Sequence, residues 1–121
     1  MKNLVFRYDI EGLAEGLGVS IEDISGLFAS YFNEMQGEIN DMRQFLECSD
    51  WDMLERVVHN VKGVSANLGI TDVFEEAERF DVLLKSRETK NSAKYVDSLE
   101  QLINSAKEEI KDYFCQRGCA L

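Results

Sequence analysis

His59 is the one histidine of the chain, and the residues that follow it are spaced to let it act as a nucleophile. Lys62 stands three residues on, Gly63 four and Ala66 seven. In a helix those offsets lie beside His59 or one to two turns along its own face. A free imidazole has a pKa of about 6.5, so at neutral pH much of it is unprotonated and has a nitrogen lone pair to offer. A phosphoryl group taken onto that nitrogen brings negative charge, which the Lys62 ammonium is placed to offset. The same cation would repel a metal ion, so His59 is not read as a metal ligand. Gly63 and Ala66 keep the strip beside the ring low, as a group approached by a large partner requires. Glycine inside a helix costs about 1 kcal/mol relative to alanine, and a bare backbone at Gly63 is easier to understand if something must come close. A surface histidine without a role is the ordinary alternative, and Gly63 weighs against it.

Such a face needs a helix to carry it. Apolar residues in steps of three and four are the helical signature. A first short helix is expected over about Val5 to Gly16, packed across the end of a bundle and broken by Gly16 and Gly18. A long second helix is expected from about Ser20, with Asp23 three residues on as a capping-box relative, to about Cys48. Its stripe runs Ile21, Ile24, Phe28, Tyr31, Met35, Ile39, Met42 and Leu46, widened by Leu27, Phe32 and Phe45. The third helix starts at Ser49 or Asp50 and runs to Leu68, with Gly69 as its C-terminal cap. Its stripe is Leu54, Val57, Val61, Val64 and Leu68, with Trp51 and Val58 at one border. The fourth starts at Thr71, ends near Lys85 to Arg87, and buries Val73, Ala77, Phe80 and Leu84. The last buries Val96, Leu99, Ile103, Ala106, Ile110 and Phe114 and frays at Gly118.

Four long amphipathic helices with short connections predict an all-α, antiparallel, up-down-up-down four-helix bundle with an additional short N-terminal helix. The absence of proline agrees, because helix interiors exclude it. The chain reads as one domain over residues 1–121, the bundle at about 20–117 and an N-terminal extension at 1–18. At about 100° per residue, His59 falls nearly opposite the core stripe of the third helix. It is therefore expected to be exposed, sharing its side with Glu55, Lys62, Gly63 and Ala66. A carboxylate from the adjacent helix is expected to hold the second ring nitrogen.

The net charge of −10 makes nucleic acid and anionic membrane poor partners. Cys48, Cys115 and Cys119 are an odd number with no secretory signal ahead of them, which argues against a disulfide scaffold. Cys115 and Cys119 share a helix face but lack further ligands for a metal site. No segment is apolar enough to cross a bilayer, and a cytoplasmic monomer is expected.

The run His59, Lys62, Gly63, Ser65 and Gly69 resembles the signature His-x-x-Lys-Gly-x-Ser-x-x-x-Gly of histidine-containing phosphotransfer (Hpt) domains. Asp50-Trp51 at the preceding helix start and Phe80-Asp81 in the following helix extend the likeness over about Gly18 to Leu84. The resemblance implies a four-helix phosphocarrier of multistep phosphorelays. His59 would be the phosphoacceptor and Lys62 a phosphoryl contact. Gly63, Ala66 and Val58 would belong to the receiver-docking surface, together with some of Phe6, Tyr8, Leu13 and Leu17, most of which are expected to pack inward. Ser65 and Gly69 would be structural. The implied partners are response-regulator receiver domains and a hybrid histidine kinase. No cofactor of the chain's own is implied; Mg2+ is expected on the partner receiver.

One position departs from the family pattern, which often has glutamate or glutamine where Asp81 stands. Aspartate is a methylene shorter, so it is expected to reach the site only through water, or to be replaced by Glu78 one turn earlier. There is no Gly-Lys-Ser/Thr phosphate loop, and no proline after His59 as in sensor-kinase dimerisation helices. A carrier without its own ATP-dependent kinase activity is the expectation. The competing reading is a helical adaptor that binds a receiver or kinase without carrying phosphate.

Overall fold

The computed structural model describes residues 7–119 and 121. Five helices follow in order: α1 (Ile10–Leu17), α2 (Ile21–Glu47), α3 (Trp51–Asn67), α4 (Thr71–Lys85) and α5 (Ser92–Gln116). α2 packs on α3 and α5, and α4 packs on the same two, which closes an antiparallel four-helix ring; α1 leans on α2. The predicted architecture is the observed one.

The helix boundaries follow from local chemistry. Ser20 caps α2 by accepting from the Asp23 N–H at 3.0 Å. Asp50 caps α3 by accepting from the Met53 N–H at 3.3 Å. Each satisfies a backbone donor that the first helical turn leaves without a partner. At the end of α3, Gly69 takes φ of +70°, and the Ile70 N–H returns to the Ser65 carbonyl at 2.9 Å. That tight left-handed cap sends the chain straight back along α3. His59 and Asp81 stand at comparable distances either side of it, so the α3–α4 hairpin brings them to the same height.

The stripes read from the sequence form most of the core, from Ile24, Phe28, Tyr31, Met35, Ile39 and Met42 on α2 to the six predicted positions of α5. Leu27 is an exception at 44 % exposed, because it lies past the edge of the α2 stripe. α1 also differs slightly. It continues through Gly16 and ends at Gly18, whose φ of +69° makes it the stop. It begins at Ile10; the expected start at Val5, and Phe6, lie outside the described residues. α1 is tied across the bundle end: Arg7 pairs with Asp72 and Glu109, the Tyr8 hydroxyl donates to Asp72, and Glu11 accepts from Tyr113 and Arg117. Tyr8 is buried and Leu13 half-buried; of these apolar candidates Leu17 keeps most of its surface, at 53 %.

Candidate functional site

His59 lies in the middle of α3 on the face turned from the core, and its side chain is 60 % exposed. The rotation of α3 that produces this is held from inside. Val57, Val58 and Val61 are buried, and Ser65 Oγ and Tyr31 Oη share a buried hydrogen bond of 2.7 Å between α3 and α2. On the outer edge, Asn60 donates to Glu34 at 3.0 Å and Glu38 at 2.9 Å, both on α2.

α4 supplies the group that faces the ring. The Asp81 carboxylate is 1 % exposed, and its Oδ2 lies 3.3 Å from His59 Nδ1. The same oxygen accepts from Lys62 Nζ at 2.9 Å and from Lys85 Nζ at 3.0 Å. A buried carboxylate is costly without such partners. Burial pushes the Asp81 carboxyl upward, but its interactions with Glu55, Lys62, Lys85 and His59 outweigh that and hold it well below the usual carboxylate range. With an ionised acceptor at Nδ1, the neutral ring is favoured in the tautomer that carries its proton there. Nε2 then keeps its lone pair.

Glu55, one turn before His59 on α3, completes the cluster. Its Oε2 is buried with no hydrogen-bond partner, and so is Asp81 Oδ1. Interaction with Asp81 first, and burial second, raises the Glu55 carboxyl above its ordinary range. One ligand-type atom each from Glu55, His59 and Asp81 lies within 4.8 Å of the others. The donor set is nonetheless a poor one for a metal ion, because two ammonium groups already occupy Asp81 Oδ2 and would face any dication beside it.

The structure corrects several expectations. Asp81 reaches His59 directly, because it points inward between α3 and α4 and the packing offsets its short side chain. Glu78 does not take its place. It is exposed and lines a shallow depression with Arg79, Val82, Leu83 and Tyr95, on the α5 side of α4. Val58 is wholly buried and offers nothing to a docking partner; α3 is flanked by both α2 and α4, so its buried face is wider than one stripe. Lys62, expected to be exposed, is 22 % exposed and bound to Asp81. Gly63 and Ala66 are on the surface, and a Cβ built at Gly63 would meet nothing within 4 Å.

Two members of the cluster had not been assigned a role from the sequence. Both carry a spacing signal: Glu55 precedes His59 by four residues and Lys85 follows Asp81 by four. Each is the separation at which helix side chains meet.

The fold and this site define a helical bundle that presents one exposed, oriented histidine from the middle of a helix. The Hpt domain family matches residues 26–109 of the chain, and the chain belongs to that family. No curated protein matches it, and no solved structure does. Hpt domains serve phosphotransfer in phosphorelays as carriers rather than kinases, and the family works with receiver domains and histidine kinases. Among the described residues no helix is long and apolar enough to cross a membrane.

Proposed function

We propose that the chain is a phosphocarrier, taking a phosphoryl group on Nε2 of His59 from a receiver-domain aspartate and returning it to another. The observation that carries this is the exposed ring whose Nδ1 is backed by a buried carboxylate, itself neutralised by two lysines. Asp81 accepts a hydrogen bond from Nδ1–H, so Nε2 is the nitrogen left with a free lone pair on a side chain that is largely exposed. The N–P bond forms as the acyl O–P bond of the donor aspartyl phosphate breaks, and its electron pair returns to the donor carboxylate. The ring gains positive charge in this step, and the Asp81 carboxylate is placed to stabilise it. Lys62, whose Nζ rests on Asp81 in this structure, adds positive charge beside the ring that can offset the charge of the phosphoryl group. Gly63 and Ala66 leave room for the receiver's active site to approach. Mg2+ belongs, in this reading, to the receiver.

The direct test offers the full chain a phosphorylated receiver domain, or phosphoramidate as a small donor, and follows the label. Acid-labile, base-stable label on the wild type and none on His59→Gln is the expected result. An unlabelled wild type that still binds the receiver would favour an adaptor; label that persists on His59→Gln would remove the site from His59.

A further inference from the structure

Among the described residues, three buried side-chain polar atoms lack a hydrogen-bond partner: Glu55 Oε2, Asp81 Oδ1 and Ser92 Oγ. Two of the three belong to neighbouring carboxyl groups beside His59. Two ionised carboxylates have no hydrogen to share, and each oxygen would stay unsatisfied against a like charge. One proton between them satisfies both. His59, Lys62 and Lys85 all address Asp81 Oδ2, so none of them serves Oδ1. Asp81, with three donors on its other oxygen, is the member that stays ionised.

We propose that Glu55 is a positioning residue of the phosphoacceptor site: in its acid form it donates a hydrogen bond to Oδ1 of Asp81 and so fixes Oδ2 against Nδ1 of His59. The opposite displacement of the two carboxyls, Glu55 upward and Asp81 downward, agrees with a proton resident on Glu55. The role rests on the carrier reading of His59. An ionised Glu55 would place a second negative charge beside the ring and favour the imidazolium, which has no lone pair at Nε2. It would also repel Asp81 and compete for the lysines. The charged groups that face Glu55 are few. Asp52 and His59 flank it on α3, Asp81 and Lys85 come from α4, and Arg87 beyond α4 is engaged with Asp52 at 2.8 Å. Lys62 is on Asp81, and on the α2 side Glu34 and Glu38 are taken up by Asn60.

The test compares wild type, Glu55→Gln and Glu55→Ala as full chains. Carbon-13 NMR of the Glu55 side-chain carboxyl follows its titration, nitrogen-15 NMR reads the His59 tautomer, and phosphoramidate serves as donor for rates across the neutral range. Glu55 is expected to titrate above the ordinary glutamate value of about 4.3. Glutamine keeps the donor without the ionisation, so Glu55→Gln should hold the Nδ1–H tautomer, stay within about twofold of wild type in rate, and show none of the fall in rate that ionisation of Glu55 is expected to impose on the wild type as pH rises. Alanine should mix the tautomers and slow phosphorylation roughly tenfold, the low end for removal of an outer-shell orienting group. An ordinary Glu55 titration, or a glutamine variant as slow as alanine, would overturn the proposal. So would a Zn2+ titration that moves the Glu55 and His59 signals together at stoichiometric metal, which would give the trio to a cation instead. A failed carrier reading looks different, with no phosphohistidine on any variant, and the carboxyl titration and ring tautomer still decide what Glu55 does.

Discussion

Truncating Asp81 to alanine separates what the α3–α4 cluster does for stability from what it does for chemistry. Asp81 is 1 % exposed, and Lys62, at 22 %, depends on it for a 2.9 Å charge-assisted bond. Such a bond contributes about 1.5–3 kcal/mol. Lys85 is half in solvent and has water to fall back on. Glu55 loses its partner at Oδ1 as well, but it is only partly buried and can ionise and turn to water once Asp81 is gone, which limits its share of the loss. The expected loss is therefore about 2 kcal/mol, below the ~3–5 kcal/mol of breaking a fully buried pair. With an unfolding entropy of about 2.1 cal/mol/K per residue, that is a fall in Tm of about 8 °C for a chain of this length. The pH dependence has a definite sign. The folded Asp81 carboxyl lies below its unfolded value of about 3.9, so its contribution is fully present above that value and is lost as pH falls toward the folded one. Urea unfolding at a series of pH values should show the gap between wild type and Asp81→Ala closing in acid, as the Asp81 carboxylate takes up its proton. The apolar double variant Lys62→Met/Asp81→Leu should recover most of the stability, since a packed pair of hydrophobic residues replaces a buried ion pair without penalty. It should not recover phosphorylation of His59 by phosphoramidate. A loss under about 0.5 kcal/mol, the ordinary surface value, or a gap that persists in acid, would refute the reasoning.

Gly63→Ala should raise stability by about 1 kcal/mol, because the site is mid-helix with open space at Cβ. Gly63→Gln should keep the fold but slow transfer from a receiver roughly tenfold, a docking loss of about 1.4 kcal/mol; undisturbed transfer would show that nothing approaches there. Tyr31→Phe strands the buried Ser65 hydroxyl and should cost about 1–3 kcal/mol in urea unfolding. Adding Ser65→Ala should return part of that, and strict additivity of the two losses would mean the hydroxyls do not depend on each other.

The exposure of His59 and the open strip at Gly63 were legible in the sequence because both are properties of one helix. Periodicity sets which side faces the core, and that alone puts His59 outside and Gly63 beside it. The four stripes, the Ser20 and Asp50 caps and the Gly69 stop are likewise local, so the bundle could be read from the chain. Val58 and Leu27 show where that reading stops. Whether a residue at the border of a stripe is covered depends on how many neighbours flank the helix, and a single-helix projection does not contain them. The partnership at Asp81 is of the same kind. Its register against His59 comes from the Gly69 turn and from how closely α3 packs on α4, so neither the direct contact with Nδ1 nor the convergence of Lys62 and Lys85 on one oxygen follows from side-chain length. The facing of Glu55 and Asp81 is further still from the sequence, since two acids on different helices become a pair only when the interface removes the water between them. The chain by itself determined an exposed histidine beside an open strip of helix; the packing of α4 on α3 decided which groups hold it, because hydrogen bonds between helices depend on distances that no one helix sets.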